Sequence, residues 1–237
     1  MTVASPARER PGDLLPGRSS SVPFRALTCT FMSLRFDQTG WQQLQPGAFR
    51  NADGDTVALY GFDLPPDLPA PLEQLDHLRR GTAAKTAESG GGLIELDVLT
   101  LDGLPAVRQI VKLPLPDRPS GVAYIASFTV PRADRSLVLK IQCLEQGVTG
   151  MRDSTALNHY LTEYGQGRDL QDMMRWWAQH AYAPEIQGGL PRNLSEDPGW
   201  DPHFPQHPLS RARRILTALA PGIELHPTFR TAPPFAA

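Results

Sequence analysis

The residues best suited to chemistry lie near the C-terminus, in Asp201-Pro-His203-Phe-Pro-Gln-His207. One carboxylate and two imidazoles are good ligands for zinc. A metal-dependent hydrolase is the enzymatic reading that they support. Prolines at 202, 205 and 208 exclude a helix that would set His203 and His207 on one face. No cysteine or third histidine stands nearby in sequence to complete a site. The stronger expectation is structural. Phe204 and its flanking prolines pin the segment to the protein body, and His207 caps a helix that Pro208 opens. Neither metal nor cofactor is expected. If Phe204 is fully buried, its truncation to Ala should cost roughly 3–5 kcal/mol.

Arg211, Arg213 and Arg214 fall in the first turns of that helix, where positive charge opposes the macrodipole. They make either an anion site or a cluster neutralised by Glu196, Asp197 or Asp201 from the preceding loop; the second is favoured. Met173, Met174, Trp176, Trp177 and Tyr182 form the densest group of large apolar side chains in the sequence. Five such residues cannot share one helical face. Exposed, they make a partner site, since Trp and Met are enriched at interfaces; buried, they make a satellite core. Met173, Met174, Trp176, Trp177, Arg211 and Arg214 are the candidates for contact with a partner.

Other motifs fail on spacing. Asn51-Ala-Asp53-Gly54-Asp55 lacks the bidentate Glu of a calcium loop, because Phe62 stands in its place; it is a hairpin turn. Gly81-Thr-Ala-Ala-Lys85-Thr86 carries Ala84 where a phosphate loop needs Gly. Gly90-Gly91-Gly92 follows a helix, the reverse of a dinucleotide fingerprint. His159 and His180 are assigned to helix surfaces or packing.

The elements that must position these residues centre on Leu93 to Leu144, which reads as two consecutive hairpins. Asp102-Gly103 between alternating runs is a strong turn signal, since a type I′ turn needs positive φ at both positions. Pairing Leu101 with Leu104 sets Val98 against Val107, Leu96 against Gln109 and Ile94 against Val111, all on one face. Asp97 then faces Arg108 as an ion pair. In the second hairpin, Tyr124, Phe128 and Val130 are expected on one face and Ile125, Leu137, Leu139 and Ile141 on the other. Such a pair needs cover on both sides.

Before the hairpins, strands are expected over Phe24 to Phe36 and Thr56 to Leu64. A helix follows from Pro71 to Glu88, carrying Leu72, Leu75, Leu78 and Ala83, with Gly81 as a weak point. After them comes a helix capped by Thr149 or Asp153, with Leu157, Tyr160, Leu161 and Tyr164 as its stripe. Leu170 to Tyr182 is a further helix, and Pro184 to Phe204 is a long loop. The last helix buries Leu209, Ala212, Leu216 and Leu219, ends at Gly222, and gives way to a short strand at Ile223 and Leu225. The expected class is α+β: an antiparallel sheet of about six strands flanked by helices. The chain divides into a disordered segment 1–22, a sandwich domain 23–165 and a helical extension 166–237 docked on it.

The 237 residues carry a net charge of −2, which gives no electrostatic reason to bind nucleic acid or an anionic membrane. No apolar run approaches the ~20 residues of a membrane span, and the N-terminus lacks the apolar core of a signal peptide. Two cysteines, Cys29 and Cys143, make no disulfide framework. These features point to the cytoplasm.

The order strand, strand, helix, four strands, helix over residues ~27–164, with Gly40-Trp41 after the first strand, resembles the Mog1/PsbP-like α-β-α sandwich superfamily. The segment Asp201 to Arg211 is similar to a recurring signature of bacterial proteins to which no activity is attached. What the superfamily resemblance implies is a module that binds partners and does not catalyse. No lipobox cysteine is present, so a lipoprotein role does not carry over. The expected function is therefore a non-catalytic protein-binding or adaptor module. The alternatives are the hydrolase above and an immunity-type protein that neutralises a toxin.

Overall fold

The computed structural model of the chain describes residues 33–115, 121–145, 147, 150–165, 167 and 169–236. The segment to residue 22, most of the strand expected from Phe24, Cys29 and Thr149 lie outside the described residues.

In chain order the elements are β1 (Leu34–Arg35), β2 (Gln42–Gln45), β3 (Ala48–Arg50), β4 (Thr56–Phe62), α1 (Leu75–Glu88), β5 (Gly92–Leu101), β6 (Leu104–Pro114), β7 (Val122–Pro131) and β8 (Ser136–Leu144). Then follow α2 (Met151–Tyr164), α3 (Leu170–Trp177), β9 (Ala178–Gln179), β10 (Arg192–Asn193), 3₁₀ turns at Leu194–Glu196 and Pro198–Trp200, α4 (Pro208–Leu219), β11 (Glu224–Leu225) and α5 (Pro227–Arg230).

Seven strands form one antiparallel sheet in the order β2-β3-β4-β8-β7-β6-β5. The class is the expected α+β, with one strand more than expected. The extra strands come from Gln42 to Arg50, where Gly47 at φ 76° lets the chain reverse. The strand expected from Phe24 contributes only β1 to the described residues, and β1 pairs with β11 apart from the large sheet.

The first hairpin follows the expected register from Leu101↔Leu104 to Leu96↔Gln109. Asp102 (φ 45°) and Gly103 (φ 80°) make the turn. The register then breaks at a bulge, so that Leu93 faces Val111 and Glu95 faces Ile110. Ile94 therefore joins the opposite face from the one its alternation assigned. A bulge re-aims side chains in this way. Asp97 does face Arg108, yet the ion pairs run elsewhere: Arg108 meets Glu95 at 3.0 Å, and Arg79 of α1 meets Asp97.

The second hairpin corrects the expected faces. Val130 faces Leu137, Phe128 faces Leu139, and Ala126 faces Ile141. Directly opposed residues of an antiparallel pair share a face, so these side chains all enter one core. Onto that core packs α4 through Leu209, Ala212, Ile215, Leu216 and Leu219, with Ile223, Leu225 and Phe229 after it. On the other face α1 covers β5 and β6, where Leu78 and Ala83 meet Leu93, Leu96 and Val107. The helix begins at Leu75, later than Pro71 suggested.

The edge of β5 is covered by Arg79 of α1, by Tyr182 and by Leu190 of the segment expected to be loop. Tyr182 lies beyond the end of α3 at Trp177 and not in the helix expected to reach it. The Tyr182 hydroxyl accepts from the Leu96 N–H at 3.3 Å, and Arg79 Nε donates to the Leu96 carbonyl at 2.9 Å. The Leu190 N–H donates to the Gly91 carbonyl at 2.8 Å. Unpaired edges template aggregation, and this cover removes the hazard. The stretch from 184 to 204 is thus built structure, with β10 and two 3₁₀ turns.

Candidate functional site

Residues 193–201 are the meeting point of several buried polar side chains, among them Lys112, Arg152, Ser195, Glu196 and Arg213. Asn193 caps the first 3₁₀ turn through a reciprocal capping box with Glu196. Lys112 of β6 donates to both Glu196 oxygens at 2.9 Å, and the Tyr124 hydroxyl of β7 donates to the same carboxylate at 3.0 Å. Burial, followed by the Glu196 charge, pushes the Tyr124 phenol well above its ordinary range.

Beside this triad, Arg152 of α2 is only 1% exposed. It donates to the carbonyls of Ser195 (2.6 Å) and Asp197 (3.0 Å), to Asp201 (2.9 Å) and to the Ser210 hydroxyl (2.8 Å). Asp201 also accepts from Ser210 and from Arg213, at 3.0 Å each. These bonds satisfy an arginine that would otherwise be too costly to bury.

The proposed ligand set is accordingly divided among different partners. Asp201 is held by two guanidiniums and a hydroxyl. His203 is exposed and lies against the Trp200 ring at 5.8 Å. His207 Nδ1 accepts from the Leu209 N–H at 3.2 Å, the helix cap expected from Pro208. Among the described residues, no group of three or more His, Cys, Asp or Glu is placed to hold a metal.

His207 and Glu145 line a cleft of about 420 Å³, with Nε2 and Oε1 3.9 Å apart. Burial, then the neighbouring Arg152 charge, lowers the imidazole to about 4, while burial raises the Glu145 carboxyl. Among the described residues, the cleft lining holds no Ser, Thr or Cys that this pair could activate. Cys143 is buried elsewhere in β8, its thiol pushed up by burial and by Asp55.

The α4 arginines are neutralised, though not mainly by the loop. Arg211 binds Asp55 through Nε and Nη2 at 2.9–3.2 Å. Arg213 takes Asp201 and, at 3.4 Å, Glu95, which the β5 bulge brings within its reach. Arg214 is exposed, 3.9 Å from Asp53, and donates to the Pro205 carbonyl. The carboxylates of Asp55 and Glu95 were hidden from sequence because they come from remote strands.

The aromatic group is split by α3. Met173 and Trp177 face inward, Trp176 is half-buried, and Met174 is 52% exposed. The rings continue onto α2: Trp176 meets Tyr160 at 5.3 Å and Tyr164 at 5.7 Å, and Tyr160 meets Trp200 at 6.2 Å.

Helix α2 is turned opposite to its sequence pattern. It buries Arg152 and Ala156, and Gly150, not Asp153, occupies its cap. Of its apolar stripe, Leu161 (42%) and Tyr164 (52%) are exposed and Leu157 and Tyr160 are half-buried; Met151 at the helix start is 57% exposed. The inversion follows from Arg152, whose four hydrogen-bonding partners all lie beneath the helix. Asp153 is drawn to the Ser195 hydroxyl.

No family model matches the chain, and no curated protein matches it. Among solved structures, that of cyanobacterial PsbP (CyanoP) from Synechocystis sp. PCC 6803 is similar over 55% of this chain and 89% of its own, at 13% identity and a TM-score of 0.27. None of the helices in the described residues is long and apolar enough to cross a membrane.

Proposed function

We propose that the chain is a non-catalytic protein-binding module whose docking surface is the outward stripe of α2 with the adjoining rings of α3. The observation that carries this reading is the inversion of α2. A helix that hides an arginine and leaves Leu161 and Tyr164 largely exposed has an apolar face that, among the described residues, the α3 rings cover only in part. Aromatic and Met side chains of this kind dominate binding energy at interfaces. Among the described residues, the exposed charges near the stripe include the acids Glu163, Asp169 and Asp172 and the base Arg175. The partner is therefore a protein segment with an apolar face and a basic rim.

The order of elements from β2 to α2 supports assigning the domain to the Mog1/PsbP-like sandwich. A buried free thiol at Cys143 supports placing it in the cytoplasm. The test is capture with the wild-type chain beside a Leu161→Glu/Tyr164→Glu variant of equal melting temperature. A basic protein held by the first, released by the second, and rebound from purified components supports the reading. Identical capture by both chains would sink it.

A further inference from the structure

A groove of about 650 Å³ opens along another flank of α2, between that helix and the 3₁₀ turn at Pro198–Trp200. Its ring is Trp200, half-buried and fixed by His159 at 5.6 Å and Tyr160 at 6.2 Å. Its charges are the carboxylates of Glu163 and Asp197, and among the described residues its lining contains no lysine or arginine. Asp197 has Arg192 at 3.5 Å, whereas among the described residues no cation lies against Glu163.

An indole that shares a groove with a carboxylate meeting no cation among the described residues is suited to a cation. The ring quadrupole attracts positive charge, and the carboxylate neutralises it with a charge-assisted hydrogen bond. A guanidinium fits better than an ammonium, because it is planar, stacks on aromatic rings and is more weakly hydrated. Two carboxylates in the same groove repel phosphates and other anions.

We propose that this groove binds an arginine side chain presented by a partner polypeptide. The inference stands on Trp200 and Glu163, neither of which is in the apolar stripe although Tyr160 and Glu163 adjoin both surfaces, and its test uses no partner protein. Failure here leaves the docking reading in place, and failure of the docking variant leaves the groove in place.

The test follows the Trp200 indole N–H by NMR, assigned with a Trp200→Phe variant, in the full ¹⁵N-labelled chain. The probe is the capped tripeptide acetyl-Gly-Arg-Gly-amide, compared with its neutral citrulline counterpart. The expected result is a saturable shift with the arginine peptide only, weakened about three- to tenfold by Glu163→Gln and by about 0.5 M salt. Glu163 is an exposed helical residue, so the variant should melt with the wild type. No saturable shift, equal binding of the citrulline peptide, or equal affinity in the Gln variant would overturn the proposal. So would saturation of the same resonance by methyl glucoside with none by the arginine peptide.

Discussion

Lys112 and Glu196, 84 residues apart in sequence, meet as an ion pair at 2.9 Å with both side chains almost wholly buried. Tyr124 faces Lys112 across β6 and β7 and donates to the same carboxylate. The triad locks the 3₁₀ turn onto the sheet and so sets the position of everything that the turn carries.

Removing one partner strands the other. Lys112→Met should destabilise the fold by about 3–5 kcal/mol, because Glu196 loses its cation but stays buried. Adding Glu196→Met should recover part of that loss. Urea unfolding of both variants checks this, and a double variant no better than the single would refute the coupling.

His207 should give the acid limb of the stability curve. Folding lowers its pKa from 6.5 to about 4, through burial and the Arg152 charge. As pH falls, the unfolded chain binds the proton first. The contribution is complete above the unfolded value and is lost as pH falls toward 4, on the order of 3 kcal/mol in all. Glu145, raised by burial, acts in the opposite sense. His207→Asn keeps a good helix cap without the titration. Its unfolding free energy should therefore fall less steeply than the wild type's between about pH 7 and pH 4.5. Parallel curves would remove His207 from the account.

Gly81 should resist the substitution that helix propensity recommends. In an exposed helix, Gly→Ala gains about 1 kcal/mol. Here a Cβ would lie 2.5 Å from Pro69 Cβ. Gly81→Ala is expected to destabilise by about 1–3 kcal/mol through overpacking. A Pro69→Gly background should relieve the penalty, as melting temperatures will show.

Phe204 is a weaker anchor than its flanking prolines suggest. It is half-buried and packs on Trp200 at 6.3 Å, outside the core, whereas Leu209 is fully buried. Leu209→Ala should cost about 2–5 kcal/mol, and Phe204→Ala clearly less. Equal losses in chemical denaturation would contradict this placement.

What was legible in the sequence was local. Asp102-Gly103 gave its hairpin and most of its register, and Pro208 gave the helix that His207 caps. The bulge at Ile94 left no mark, because an extra residue in an apolar run preserves composition while reversing a face. The second hairpin was misassigned because its faces depend on how its turn aligns the strands. Arg152 defeated the pattern on α2, since the partners that make its burial tolerable lie 43–58 residues further on. The carboxylates for Arg211 and Arg213 come from Asp55 and Glu95, which no spacing along the chain connects to them.

The cover on the β5 edge and the helix on the sheet have a consequence for synthesis. The strands from Gln42 to Leu144 leave the ribosome with Lys112 unpaired, one apolar face bare and the edge backbone unsatisfied. Tyr182, Glu196 and α4 arrive only later. Until then the nascent chain exposes the surfaces that invite misassembly and chaperone capture. Chains arrested at residue 165 should be cut readily by protease within the sheet, and resistance should arise only once α4 has emerged.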